Sequence, residues 1–130
     1  MRPRIFIAGP ISQGDLLDNI QQADAVFFKL VEAGFAPFNP VLSVFAGSAN
    51  EWPAFFSAIL AEARAVHSIP WEKWLAISCE WITACDAVLR LPGESKGADL
   101  ETEIANTKGI PVFTDLATLI AFFKGSSYAT

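Results

Sequence analysis

The order of apolar and polar positions along the first forty residues predicts a strand, a helix and a second strand. Residues 5–8 form a continuous apolar run ended by Gly-Pro, which is typical of a strand buried on both faces of a parallel sheet. Over 15–33, apolar residues recur with the period of an amphipathic helix, and Gly34 is placed to terminate it. A short strand over 35–38, ended by Asn39-Pro40, follows.

The second half repeats this alternation after a less regular segment. Residues 41–69 carry Gly, Ser, Asn and Pro before a helix-compatible stretch over 54–66, so we expect a helical insertion packed over the end of the sheet. Beyond it the pattern predicts a helix over 70–85, a strand over 87–91, a helix over 95–108, a strand over 110–113 and a helix over 116–123. Strands alternating with helices predict an α/β fold, a single doubly wound parallel sheet of the Rossmann or flavodoxin-like type.

Composition and charge favour one folded domain that binds a small ligand. The 130 residues are 52% hydrophobic, enough for a core within a single domain covering residues 1–130. The net charge is −5 and the nine Lys and Arg residues form no run, which argues against a nucleic-acid polymer as partner. Cys79 and Cys85 lack the paired spacing of a zinc site, so we expect reduced core residues. The opening lacks a signal peptide or membrane span, and we therefore expect a cytoplasmic protein without membrane association.

Ligands of such sheets bind beyond the carboxyl ends of the strands, which draws attention to residues 9–14 and 92–97. Ser95 is a good N-cap for the following helix, and Gly97 lets a ligand approach backbone amides that can bind an anion. The same two residues also fit an ordinary capped helix with no ligand.

Glu101 is the better catalytic candidate of the two glutamates in this helix. Leu100 and Ile104 are expected to face the sheet, which places Glu101 on a flank beside the small residues Ala98 and Ala105. Glu103 falls on the other flank, where a solvated acidic face is the ordinary expectation.

The segment CDAVLRLPGESKGADLETEIANTKGIPVF, residues 85–113, resembles the nucleoside 2-deoxyribosyltransferase superfamily, including its deoxynucleoside 5′-monophosphate N-hydrolases and small phage and bacterial members. The opening FIAGPIS and the later FNP match the same family's first half. The resemblance implies that Glu101 attacks the anomeric carbon of a sugar and forms a glycosyl-enzyme intermediate, which water or a second base resolves. A carboxylate suits the oxocarbenium-like transition state, and neither metal nor cofactor is required.

The resemblance also assigns binding roles and an assembly. Gly9 and Pro10 would shape the sugar pocket, and Ser12, Ser95 and Gly97 would hold the 5′ end. Relatives complete each site with residues from a neighbouring subunit, so we expect a homodimer or a larger homo-oligomer. Asn39, after the second strand, would bond base or sugar, although Asn-Pro is equally ordinary turn chemistry.

Two positions bear on substrate and catalysis. The family's nucleoside transferases have Asp at the position of Ser95, whereas its monophosphate hydrolases have a phosphate-contacting Ser, so Ser95 favours a 5′-monophosphate. Those hydrolases also bring an arginine to the loop after the first strand, where this chain has Gln13-Gly14. The family's Asp that orients the nucleophile and assists the departing base is replaced by Ser78.

The remaining candidate residues give weaker indications of a functional role. Trp74 and Trp81 are expected in the core, and either Trp52 or Trp71 as a lid over the ligand. His67 has no partner for a metal site and is expected at the surface or an interface. Asp86, at the amino end of its strand, is expected to be structural.

The sequence therefore supports a leading hypothesis and leaves two rivals open. The first is an enzyme cleaving the N-glycosidic bond of a nucleoside or, preferably, a 2′-deoxynucleoside 5′-monophosphate, as hydrolase or base-exchanging transferase. The second is a non-catalytic nucleotide-binding module, a sensor or sequestering protein, which Ser78 favours. The third is a structural interaction domain that binds no small molecule.

Overall fold

The computed structural model describes residues 1–10, 14–40 and 71–125, and the structural statements below concern these residues. The strands are β1 (Arg4–Ala8), β2 (Ala36–Phe38), β3 (Ala87–Arg90) and β4 (Val112–Phe113). The helices are α1 (Leu16–Glu32), α2 (Trp71–Thr83), α3 (Lys96–Thr107) and α4 (Leu116–Lys124). The strands form one all-parallel sheet in the order β2-β1-β3-β4, which confirms the predicted doubly wound α/β fold. The expected insertion over 41–69, with Trp52 and His67, lies outside the described residues.

The sheet is buried on both faces because its strands carry apolar side chains in both directions. Ile5 and Ile7 of β1 lie in one core cluster with residues of α1 and α4, while Phe6 and Ala8 lie in a second with residues of α2 and α3. Ile5 and Phe6 are both fully buried. Burial of each such side chain stabilises the fold by about 1.5–3 kcal/mol. Helices therefore cover both faces and leave the carboxyl edge of the sheet as the place for a ligand.

Short polar side chains cap the amino ends of α1, α3 and α4, namely Asp15, Ser95 and Asp115. The Asp15 side chain caps α1 by accepting a hydrogen bond from the Asp18 amide at 2.9 Å. Gly34 follows the end of α1 with a φ of +95°, a left-handed conformation that glycine adopts without steric cost. Both ends of α1 are thus specified locally.

Asp86 ties the amino ends of two strands together. Its carboxylate accepts a hydrogen bond from the Arg4 amide at 2.7 Å, and its own amide donates to the Arg4 carbonyl at 2.7 Å. The bonds lie at the end of the sheet opposite the ligand edge. The expectation of a structural role for Asp86 is confirmed.

Trp81 is not a core residue, in contrast to the expectation from sequence. Its side chain is 48% exposed and stacks on Phe38, with ring centroids 4.5 Å apart and an interplanar angle of 17°. Ile82 takes the buried position of α2 instead. Trp81, one residue earlier and so about 100° around the helix, reaches only the margin of the sheet.

The buried face of α3 also differs from the expected one. Ala98 and Ala105 are the buried residues of this helix, whereas Leu100 and Ile104 are only half-buried. Small side chains at the contact allow a helix to approach a sheet closely, so the larger residues are rotated towards α2. The two cysteines are free, as expected, but half-buried rather than in the core.

Within the described residues, no helix combines the length and the apolar character needed to cross a bilayer.

Candidate active site at the carboxyl edge of the sheet

The loops after β1 and β3 pack tightly against each other at the point where the strand order reverses. A Cβ on Gly9 would lie 3.1 Å from the Cβ of Leu91, and a Cβ on Gly93 would lie 2.9 Å from the Cγ of Pro10. Gly93 also has a φ of +112°. The reversal point of a doubly wound sheet is where its ligands bind. Gly9 and Pro10, two of the three residues of the first loop that were predicted to belong to the site, therefore lie at this reversal point.

Glu101 lies on the buried side of α3, between Ala98 and Ala105. Those two residues are 1% and 0% exposed, and they pack against Phe6, Ala8 and Val88 of the sheet. The expected neighbours of Glu101 are therefore confirmed, and Glu101 itself is half-buried.

Ser78, on the neighbouring helix α2, forms a side-chain hydrogen bond with Glu101. Because a carboxylate only accepts hydrogen bonds, the serine hydroxyl is the donor to the ionised form. The structure therefore brings together two residues that are far apart in sequence and that were both predicted to belong to the site.

Burial raises the pKa of Glu101 to about 7, since a charged carboxylate is poorly solvated there. The hydrogen bond from Ser78 and the positive charge of Arg90 both act in the opposite direction. Near neutral pH Glu101 is consequently divided between its protonated and its anionic form. Such a carboxyl group is suited to act as nucleophile, base or acid.

Arg90 is the site residue that sequence reasoning missed. It ends β3, its side chain is 14% exposed, and its Nη2 lies 3.0 Å from Asp99 Oδ1 on α3. The sequence contained a signal for Arg90, because it is a charged residue that ends an otherwise apolar strand at the ligand edge. The phosphate hydrolases of the resembled family carry their arginine in another loop, so the resemblance did not point to Arg90.

Ser95 caps α3, with its Oγ accepting a hydrogen bond from the Ala98 amide at 3.1 Å. A serine hydroxyl retains one donor after this, and that donor is what a phosphate oxygen would require. Gly97 is half-buried in the first turn of the same helix. The two residues lie at the amino end of α3, between one and two turns before Glu101.

Asn39, a further predicted site residue, follows β2, the strand on the other side of β1 from β3, and is 5% exposed. Ser12 lies outside the described residues, as do the side chains of Trp71 and Trp74.

A groove of about 360 Å³ runs between α2 and α3 but is not lined by Glu101, Ser78 or Ser95. Its lining residues are Leu75, Cys79, Leu100, Glu103, Ile104, Thr107 and Lys108. Glu103 is exposed there, as expected for the solvated flank. The groove thus lies beside the candidate site and is separate from it. Within 1–10, 14–40 and 71–125, no three His, Cys, Asp or Glu side chains are grouped so that they would hold a metal ion.

Comparison with known proteins gives a family for this chain. A family model described as "Domain of unknown function (DUF4406)" matches residues 3–114. Neither the curated proteins nor the solved structures yielded a match. The matched region contains all four strands, the Gly9-Pro10 loop, Ser78, Arg90 and Glu101. The chain therefore belongs to the DUF4406 family.

Proposed function

We propose that the protein cleaves the N-glycosidic bond of a nucleoside or, preferentially, of a 2′-deoxynucleoside 5′-monophosphate, with Glu101 as nucleophile. The observation that carries this proposal is the half-buried Glu101, whose carboxyl group is hydrogen-bonded by the Ser78 hydroxyl. It lies between one and two turns into the helix that starts at the ligand edge. The sequence resemblance of residues 85–113 to nucleoside 2-deoxyribosyltransferases supplies the reaction class.

The proposed reaction has two displacement steps at C1′. In the first, an oxygen of Glu101 forms a bond to C1′ while the bond from C1′ to the base nitrogen breaks, and its electron pair leaves with the base. In the second, water or the nitrogen of another base attacks C1′ and releases the Glu101 carboxylate. A proton from that nucleophile passes to the departed base or to solvent. Retaining glycosidases follow the same sequence of bond changes.

Several residues support a phosphorylated substrate over a plain nucleoside. The free donor of Ser95 and the first-turn amides of α3 suit a 5′-phosphate, and Gly97 adds no side chain there. Gly9 and Pro10 border the space that the sugar would occupy. Ser12 is proposed to add a second hydroxyl, and Asn39 to bond base or sugar.

The alternative is a non-catalytic nucleotide-binding module, and Ser78 is the observation that favours it. A serine hydroxyl orients Glu101 but is too weak an acid to protonate a departing base. Incubation of the protein with a panel of deoxynucleosides and their monophosphates, with chromatography to detect free base, distinguishes an enzyme from a binding protein.

We further expect a cytoplasmic homodimer or larger homo-oligomer. Light scattering measures the oligomeric state.

A further inference from the structure

Arg90 is a largely buried cation at the ligand edge of the sheet, and the proposed reaction assigns it no task. It is the last residue of β3, where it pairs in register with Ala8 of β1. Its side chain is only 14% exposed. Removing a guanidinium from water is costly unless polar partners replace the lost hydration. The partners of Arg90 therefore show what its donors are used for.

Two of these partners are carbonyl oxygens of the loop after β3. Nη1 donates to the Leu91 carbonyl, and Nη2 donates to the Gly93 carbonyl at 3.0 Å. Because a guanidinium is planar and holds its donors in a fixed geometry, two such bonds fix the path of the loop. Carbonyl oxygens repel an anion, and here both are directed towards a largely buried cation.

The third partner belongs to the helix that follows. Nη2 also lies 3.0 Å from Asp99 Oδ1, in the first turn of α3. Asp99 is 73% exposed, so solvent screens the ion pair and the pair stabilises the fold only slightly. Its geometric effect is larger, because a single guanidinium now joins the loop after β3 to the start of α3. Arg90, Leu91, Gly93 and Asp99 together form the Arg90 clasp.

The Arg90 clasp brackets the residues that are proposed to bind the 5′ end of the ligand. Ser95 and Gly97 lie between its two outer attachments, Gly93 and Asp99. Gly93 is also held from the other side, because a Cβ at this position would lie 2.9 Å from Pro10 Cγ. The segment that carries Ser95 is therefore fixed both to the loop after β1 and to Arg90.

We propose that Arg90 is a positioning residue for the phosphate end of the candidate site, which through the clasp holds Ser95 and the first-turn amides of α3 in place to bind a 5′-phosphate. The inference rests on the proposed function, because that function supplies the phosphorylated substrate. It deepens that function by assigning a task to a residue outside the set predicted from sequence.

Asp99→Ala distinguishes positioning from charge, because the two effects predict opposite results. Removal of this anion should by charge alone strengthen the binding of a phosphate. Loss of the attachment to α3 should instead weaken it, by about two- to fivefold for an exposed ion pair. Titration calorimetry with the common 2′-deoxynucleoside 5′-monophosphates and the matching nucleosides measures this, and nucleoside affinity should not change. A monophosphate affinity equal to or above that of wild type, or an equal loss for the nucleoside, overturns the proposal.

Arg90→Met removes all three bonds and should reduce monophosphate affinity by at least about tenfold. Arg90→Lys keeps the charge but replaces the planar fork with a point charge, so it should recover only part of this loss. Full recovery by Arg90→Lys would show that charge alone matters and would overturn the proposal. If Arg90→Met does not fold, Asp99→Ala, a change at an exposed position, decides the test.

Arg2→Met is the matched control. Arg2 also donates to two carbonyls, those of Val31 at 3.2 Å and Phe35 at 3.0 Å, but it precedes β1 at the opposite end of the sheet. The substitution removes the same charge and the same kind of bond, and both affinities should remain at the wild-type values. A loss of monophosphate affinity equal to that of Arg90→Met would contradict a local role for Arg90.

The proposal and the proposed function fail in different ways. If wild type binds monophosphates but releases no base, the proposed function is refuted and the clasp is still tested by the affinities of the variants. If wild type binds no monophosphate, the role of the clasp is overturned, and base release from nucleosides would leave N-glycosidic cleavage standing.

Discussion

The Ser78 hydroxyl on α2 is hydrogen-bonded to the carboxyl group of Glu101 on α3. This bond lowers the pKa of Glu101 against the larger, opposite effect of burial. It also links α2 to α3 at the candidate site.

Replacement of Ser78 with alanine should raise the pKa of Glu101, because the anion loses a hydrogen-bond donor. We expect the acidic limb of the pH–rate profile to move to higher pH, with a lower rate at neutral pH. Ser78→Thr keeps the hydroxyl and serves as the matched control. Coincident profiles for wild type and Ser78→Ala would show that the bond does not tune the nucleophile.

Ser95→Asp tests whether the 5′ end of the ligand carries a phosphate. Aspartate is as good an N-cap as serine, so the helix should keep its stability. A carboxylate beside a phosphate is repulsive, and titration calorimetry should show a much larger loss of affinity for the monophosphate than for the matching nucleoside. Equal losses for the two ligands would mean that Ser95 meets no phosphate.

Gly93→Ala tests the contact between the two ligand-edge loops. The residue has a φ of +112°, and the new Cβ would lie 2.9 Å from Pro10 Cγ, in a ring that cannot swing away. We expect a loss of about 1–3 kcal/mol in the free energy of unfolding, measured in urea. Gly109→Ala is the control, because its φ is +73° and nothing lies within 4 Å of its Cβ. Its loss should be smaller, since it carries backbone strain alone.

The strands and helices could be predicted because their signals are local. Apolar runs mark β1 and β3, and Asp15 and Ser95 mark helix starts, whatever surrounds them. The exposure of Trp81 could not be predicted, because helical spacing shows which residues share one face of a helix. It does not show which strand or helix packs against that face.

Most residues of the candidate site could be proposed from the sequence, but their arrangement could not. Glu101 was proposed from its place on α3 and from family resemblance, and Ser78 from the resemblance, whereas their hydrogen bond depends on how α2 packs on α3. Arg90 was missed because its partners, the Gly93 carbonyl and Asp99, come together only in three dimensions. Leu100 was expected to face the sheet because it shares a helix face with Ile104, four residues on, but the small residues of α3 allow the closest approach.

The raised pKa of Glu101 predicts how stability depends on pH. A carboxyl group whose pKa is about 7 in the folded state, against an ordinary 4.5, binds its proton more tightly when folded. Its contribution is fully present below about pH 4.5 and is lost as the pH rises through about 7. Relative to Glu101→Gln, wild type should therefore lose up to about 3 kcal/mol of unfolding free energy between about pH 4 and pH 9. A difference between the two proteins that is constant with pH would show that Glu101 is not perturbed.

The release of free base by Glu101→Gln tests the central claim most directly. Glutamine keeps the size and shape of the side chain but cannot attack C1′ as an anion, so turnover should fall by at least about a hundredfold while ligand binding survives. Glu103→Gln, an exposed change on the same helix, should turn over at nearly the wild-type rate. The predicted result is base released by wild type and Glu103→Gln but not measurably by Glu101→Gln. Equal release by wild type and Glu101→Gln, or binding of nucleotide by wild type with no base released under any acceptor, would contradict covalent catalysis by Glu101.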